Sequence, residues 1–145
     1  MNDQQKKFVQ TSFARIVPKA EYAAKLFYGR LFEILPEVQP LFKSDLKTQG
    51  IKLFQVISFA VCSLDNLDEL LPILHDLGRR HLKYGTQAHH YAYVGESFIW
   101  TLEKVLKDDF TPEVRQAWLD IYSLMSAAMI EAAHQETTWT NETTR

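Results

Sequence analysis

Apolar residues recur at every third or fourth position through most of the chain, which is the period of an amphipathic helix. No segment shows the strict two-residue alternation of a half-buried strand. Prolines and polar clusters divide the pattern into separate helical segments. These segments run over about 3–16, 19–35, 48–62, 70–81, 91–106 and 111–133, with one short helical turn in PEVQPLF. The sequence therefore predicts an all-α fold of about seven to eight helices of unequal length.

One of these segments carries a histidine on its apolar face. On a helix, His81 shares its face with leucines four, seven and eleven residues before it: Leu77, Leu74 and Leu70. Gly85 is typical of a helix end, so the histidine is predicted near the end of a short helix. A lone histidine in such a place is usually a core residue that has found a hydrogen bond. A functional interpretation requires that other helices supply a cavity and further polar groups.

Two further polar side chains lie on faces that should be apolar, and both are on other helices. Tyr28 lies on the second segment, and Gln49 is the polar end of an apolar stripe on the third. The turn PEVQPLF delivers Phe42 into the interior. A neutral histidine is a good nitrogen ligand for iron, while a phenol and a carboxamide can donate hydrogen bonds to whatever the iron binds. Together these residues describe a pocket, although each alone has an ordinary structural explanation.

Composition narrows the class of protein further. The chain has 145 residues, 46% of them hydrophobic, which suits one domain with a full core. We expect that domain to span residues 1–133 and residues 134–145 to form a polar, frayed tail. A net charge of −2 with interspersed acids and bases argues against nucleic acid as a partner. The longest apolar stretch, Leu53 to Leu64, is far shorter than the ~20 residues that cross a bilayer, so no membrane partner is expected.

The single cysteine indicates the compartment. Cys62 rules out an internal disulfide framework and is predicted to be a small core residue. No cleavable apolar leader is visible at the start MNDQQKKF, so the cytoplasm is the expected location. The remaining histidines are discounted, since none forms a metal-binding pair at helical spacing. They are His75, His89, His90 and His134.

In its motifs the chain resembles the globins, and among them single-domain bacterial globins similar to the globin domain of flavohaemoglobins. The motifs are FYGRLF, PEVQPLF, QGIKL, LGRRH and HYAYVG, spread over about Asp3 to Ala133. The resemblance implies a globin fold around haem b (iron protoporphyrin IX), with His81 as the proximal iron ligand. It implies a second group of haem-contacting residues: Phe42, Lys52, Leu53, Leu77, Tyr91 and Val94. It implies a distal pocket for a diatomic gas, formed by Tyr28, Gln49 and Leu53.

The chain departs from this family pattern at one position on the proximal side. In flavohaemoglobin-type globins a glutamate of the last helix joins the tyrosine matched by Tyr91 in polarising the proximal histidine, but the aligned residue here is Ala133. Glu131 is two residues earlier, about 200° around a helix, and is expected to face elsewhere. The strong electron push of those enzymes is therefore in doubt.

Three functions stay open at this stage. The first is reversible binding of dioxygen, for storage, transport or sensing, with carbon monoxide and nitric oxide as further possible ligands. The second is nitric oxide dioxygenase, which would need a reductase; none is recognisable in the sequence, so it would be a separate protein. The third is a haem-free, globin-like domain that acts as an interaction module.

Overall fold

The computed structural model describes the backbone of residues 1–143 and the side chains of residues 1–135. This part of the chain holds six α-helices and three 3₁₀ turns, without a strand. The α-helices are α1 (Asp3–Ile16), α2 (Ala20–Ile34), α3 (Leu46–Cys62), α4 (Leu67–Lys83), α5 (His90–Leu106) and α6 (Pro112–Thr143). The 3₁₀ turns are Val17–Lys19, Pro36–Leu41 and Lys107–Asp109. The all-α prediction is confirmed, but the expected seven to eight helices are six, because the corner segments close as 3₁₀ turns.

Helix starts follow local capping chemistry. Asn2 and Gln5 form a capping box at the start of α1. The side chain of Asp45 accepts a hydrogen bond from the Thr48 amide at 2.9 Å, which starts α3 at Leu46. This hydrogen bond also lowers the pKa of Asp45. The helix therefore begins two residues before the predicted start at about residue 48.

Three other expectations fail at element ends. α4 runs over Leu67–Lys83, so the helix that carries His81 is a full-length one and not short. Cys62 is exposed and not in the core, because it lies on the outward face of the last turn of α3, although its neighbours Val61 and Ser63 are buried. α6 is described as helical to Thr143, beyond the predicted boundary at Ala133. A helix can propagate locally without an apolar stripe once it is nucleated. The side chains from residue 136 onward lie outside the described residues, so the domain boundary stays a prediction.

The main core lies between α1, α3, α5 and α6. Its largest side chain is Trp118, which is 2% exposed and packs against Phe13 and Phe98. The indole Nε1 of Trp118 donates a hydrogen bond to Ser12 Oγ at 2.8 Å, which satisfies its buried polar atom. A second cluster, described below with the site, surrounds Tyr28 on α2.

Two glycines set how closely helices approach near the site. A Cβ on Gly50 would lie 2.9 Å from the Cβ of Ala24, so α3 crosses α2 at close range. A Cβ on Gly78 would lie 2.7 Å from the Cα of Met129, so α4 and α6 touch backbone to backbone. Close contacts of this kind exclude any larger side chain. Both positions lie within one turn of a predicted site residue: Gly50 follows Gln49, and Gly78 precedes His81.

Candidate functional site

His81 projects from the last turn of α4 as a neutral imidazole with one fixed proton. Its Nδ1 lies 2.8 Å from the carbonyl oxygen of Leu77, one turn earlier on the same helix. A carbonyl can only accept, so Nδ1 carries the proton and Nε2 keeps its lone pair. Burial lowers the pKa of His81, although the Leu77 hydrogen bond raises it, and the Arg80 charge lowers it further. The result is a half-buried nitrogen donor suited to a metal ion.

Aromatic rings border this imidazole. The ring centre of Tyr84 lies 5.8 Å from that of His81, and the ring centre of Tyr91 lies 6.5 Å away. Burial raises the pKa of Tyr91. Glu131 is exposed on α6, as its position two residues before Ala133 predicts. The hydrogen-bond partner of His81 is therefore a backbone carbonyl and not a carboxylate.

Tyr28 is the most buried polar side chain predicted for the pocket. It is 4% exposed on α2, and its hydroxyl has no hydrogen-bond partner among the described residues. Burial raises the pKa of Tyr28 to about 12, so the phenol remains protonated at physiological pH. The hydroxyl oxygen is not among the fully buried polar atoms that lack a partner, so it borders open space and not packed side chains. Tyr28 is thus a hydrogen-bond donor available to a molecule in the pocket.

The structure brings four of the predicted residues into one apolar cluster. Phe42 meets the Tyr28 ring edge to face, with ring centres 5.4 Å apart. Leu53 and Val94 pack against the same cluster. These side chains come from α2, the corner after Pro36–Leu41, α3 and α5, so the cluster joins segments that are far apart in sequence. Val94 lies one turn beyond Tyr91, which connects the cluster to the surroundings of His81.

The other predicted residues lie at the margin of this cluster. Gln49 is half-buried one turn before Leu53, and its side chain makes no hydrogen bond to another described residue. Leu77 is half-buried and supplies the carbonyl for His81. Lys52 is exposed, consistent with a position at the rim. A role for each in binding a cofactor stays a prediction.

The sequence prediction missed the residues that hold the site in place. Besides Gly50 and Gly78, Tyr122 on α6 donates its hydroxyl hydrogen bond to the carbonyl of Tyr91. The ring of Tyr122 fits there because Gly95 has no side chain, since a Cβ would lie 2.6 Å from Tyr122 Cε2. The sequence did offer one signal for these contacts. Glycine is unfavourable inside a helix, and a glycine within a helical pattern often has a packing reason.

A small apolar cavity lies next to the cluster. Its volume is about 20 Å³, room for a molecule of roughly the size of water. Leu53 belongs to both the cavity and the cluster, and the rest of the lining is mostly aromatic and aliphatic, including Phe54, Phe98 and Trp118. An apolar space of this size favours a small uncharged molecule over an ion.

The fold and the site together define an all-helical protein with one imidazole lone pair beside an apolar pocket. The family model named Globin matches residues 25–129. The chain belongs to the globin family, and the predicted globin fold is confirmed.

Individual relatives agree with this assignment. A neuroglobin of Chaenocephalus aceratus is 30% identical over an alignment of 143 positions, and the match covers 89% of this chain and 90% of that protein. A flavohemoprotein of Bacillus subtilis (strain 168) is 31% identical over an alignment of 107 positions, and the match covers 72% of this chain but only 27% of that protein. The second match therefore concerns one part of a longer protein.

Solved structures show the same fold. A hexacoordinated heme protein from an anhydrobiotic tardigrade superposes with a TM-score of 0.83 at 20% identity, covering 92% of this chain and 96% of that one. An engineered carbene transferase from Rhodothermus marinus, provisionally named a nitric oxide dioxygenase, superposes with a TM-score of 0.87 at 24% identity, covering 97% and 99%. At these identities the likeness establishes the fold alone. Within the described residues, no helix has both the length and the apolar character needed to cross a bilayer.

Proposed function

We propose that this globin holds haem b through His81 and binds dioxygen reversibly, for storage, transport or sensing. The observation that carries the proposal is the fixed tautomer of His81, whose Nδ1–H is committed to the Leu77 carbonyl at 2.8 Å. The imidazole can therefore present only Nε2, with its lone pair, to a metal ion. The apolar side chains of Phe42, Leu53 and Val94 suit the faces of a porphyrin. Haem supplies, when bound, a position at which a diatomic gas binds reversibly.

Tyr28 and Gln49 are proposed to select the gas by hydrogen bonding. A dioxygen ligand draws partial negative charge from iron, whereas carbon monoxide draws little. The Tyr28 phenol is buried, protonated and unpartnered among the described residues, so its hydrogen bond is not shared with the protein. One such bond in a dry pocket is worth about 1–3 kcal/mol, or roughly tenfold to hundredfold in the rate of escape. Gln49 is half-buried at the start of α3 and can turn toward solvent, so its contribution is expected to be smaller.

A nitric oxide dioxygenase is the second candidate function. It is favoured by the likeness to the Bacillus subtilis flavohemoprotein, and it would require a reductase, which we expect to be a separate protein. Against it stands the partner of His81. A carbonyl makes a histidine less basic than an ionised carboxylate does, and Glu131 is an exposed residue of α6. Reversible gas binding is therefore the better-supported function.

The cytoplasm is the proposed location. Cys62 is a free, exposed thiol, and such a thiol survives best in a reducing compartment.

Gas dissociation rates test the proposal directly. Stopped-flow measurements should compare the wild type with Tyr28→Phe, Gln49→Leu and the double variant. We expect Tyr28→Phe to speed dioxygen dissociation about tenfold to hundredfold and Gln49→Leu to speed it less, with much smaller changes for carbon monoxide. If both donors reach the same ligand atom, their effects should not add in the double variant.

The matched control is Tyr22→Phe, since Tyr22 is on the same helix but 56% exposed. It should leave both gases unaffected. Equal sensitivity of dioxygen and carbon monoxide to Tyr28→Phe would mean that the pocket selects by shape and not by hydrogen bonding.

A further inference from the structure

Three potential metal ligands meet outside the haem site, where the 3₁₀ turn Pro36–Leu41 approaches the start of α5. The Nε2 atom of His89 lies 3.5 Å from one carboxylate oxygen of Glu37, and the Nε2 atom of His90 lies 3.9 Å from the other. The three ligand atoms all lie within 4.8 Å of one another. We call these three residues the corner cluster.

His89 and His90 were discounted above as consecutive residues whose side chains should diverge along a helix, and the structure contradicts this expectation. Side chains of consecutive helical residues leave the axis about 100° apart, but the two imidazoles converge at their tips, with ring centres 4.4 Å apart. The third ligand comes from a distant part of the chain, so local spacing could not reveal the cluster. Only the tertiary fold places Glu37 over the two rings.

His90 supplies the strongest sign that the cluster receives a ligand. The residue is 4% exposed, and its Nε2 is buried without a hydrogen-bond partner among the described residues. The amide of Gln87 donates to His90 Nδ1 at 3.0 Å, so in the neutral ring Nε2 carries the proton. Glu37 is the nearest acceptor, but 3.9 Å is too long for a hydrogen bond. A buried ring nitrogen left in this way needs another partner.

We propose that Glu37, His89 and His90 bind one divalent transition-metal cation, such as Zn²⁺, with water completing the coordination. Two imidazoles and one carboxylate form a ligand set that proteins use for zinc with an open fourth position. With metal–ligand distances of about 2.0–2.2 Å, ligand atoms of a tetrahedral site lie about 3.4 Å apart. The Glu37 oxygen that lies 3.5 Å from His89 already spans one edge of such a site. The three ligand atoms all lie within 4.8 Å of one another, so the remaining pairs need to close by at most about 1.4 Å.

The cluster is open to an ion from solvent. The side chains of Glu37 and His89 are 57% and 51% exposed, whereas that of His90 is 5% exposed at the floor of the site. Glu37 contributes negative charge between the two rings, and burial together with the neighbouring His89 lowers the pKa of His90, although Glu37 raises it. A neutral ring is the form that can bind a metal.

Metal binding has a local structural consequence. Coordination through Nε2 of His90 displaces the proton on that atom, which moves to Nδ1 and leaves the ring neutral. Nδ1 then becomes a donor and can no longer accept from the Gln87 amide. Binding should therefore break the hydrogen bond from Gln87, just before the start of α5, and leave the charge of His90 unchanged.

Isothermal titration calorimetry of the full-length protein with zinc chloride tests the site. We expect one Zn²⁺ per chain, with Glu37→Gln and His89→Gln each weakening binding by at least about tenfold. The matched controls are Glu96→Gln and His134→Gln, which alter exposed residues outside the cluster and should leave binding unchanged. Since Glu37 and His89 are exposed, both variants should fold, and circular dichroism checks this.

A second readout separates coordination from general charge attraction. Hydrogen exchange of the Gln87 amide should speed up when Zn²⁺ is added to the wild type and not in Glu37→Gln. No saturable binding, or binding that survives both Glu37→Gln and His89→Gln, would overturn the proposal. None of the three residues is a predicted haem contact, so either outcome leaves the haem assignment untouched, and the visible spectrum of the same samples tests that separately.

Discussion

The substitution Gly78→Ala tests whether the close approach of α4 to α6 positions His81. A Cβ at Gly78 would lie 2.7 Å from the Met129 Cα, whereas ordinary van der Waals contact begins at 3.4 Å. The Met129 carbonyl oxygen would lie nearer still, so the helices must separate by at least about 0.7 Å, the difference between these two distances. The obstacle is backbone, which no rotamer change can move aside. His81 lies one turn further along α4 and must shift with it.

The expected magnitude follows from two opposing effects. Overpacking against a rigid neighbour costs about 2–3 kcal/mol, whereas replacing a helical glycine by alanine gains about 1 kcal/mol. The free energy of unfolding should therefore fall by about 1–2 kcal/mol. If haem is bound through His81, the same variant should also release haem faster than the wild type, because the ligating nitrogen moves.

Urea unfolding followed by circular dichroism measures this change, and Gly29→Ala is the matched control. A Cβ at Gly29 on α2 would have nothing within 4 Å, so only the propensity gain should remain. That variant should be more stable than the wild type by up to about 1 kcal/mol. If Gly78→Ala proved as stable as Gly29→Ala, the argument from backbone contact would be refuted.

The remaining predictions concern the core and the pocket. Ser12→Ala should lower the free energy of unfolding by about 1–3 kcal/mol in urea titrations, because the buried Trp118 indole loses its acceptor, and an unchanged midpoint would contradict this. Phe42→Ala should loosen haem, at a packing cost of ~3 kcal/mol, without changing the axial ligand; haem transfer to an acceptor protein measures the loss. The ferrous protein without gas should be mainly five-coordinate, since the Gln49 amide is a poor iron ligand and Lys52 is exposed. A six-coordinate low-spin spectrum that disappears in Lys52→Ala would contradict this last prediction.

Much of the fold could be predicted from the sequence because helix period and helix ends are local properties. The first helix ends at Ile16 and the second ends at Ile34, each just before a proline, as the pattern predicts. The expectations that failed concern residue types that occur in two kinds of position, such as a helix cap or a loop, and the core or the surface. Asp45 caps a helix that begins two residues before its predicted start, and Cys62 is exposed although its side chain is small and apolar.

The candidate site was partly predictable for the same reason. Burial of Tyr28 follows from its place on an apolar helical face, and the structure confirms that burial. The glycine contacts could not be found this way, since they depend on which helix lies opposite. Gly78 touches Met129, some fifty residues later in the chain, and no local sequence pattern indicates this contact. The Glu37–His89–His90 cluster was missed because its third ligand comes from another element.

The visible absorption spectrum of the purified protein tests the central claim most directly, with His81→Ala and His75→Ala measured beside the wild type. His75 lies on the same helix as His81 and serves as the control. We expect about one haem per chain in the wild type and in His75→Ala, with a Soret band that shifts when the reduced protein binds carbon monoxide. We expect His81→Ala to lose stable haem or to hold it with an altered spectrum. A wild-type protein without a Soret band, as expected of a haem-free interaction module, or a His81→Ala variant with full haem and an unchanged spectrum, would contradict it.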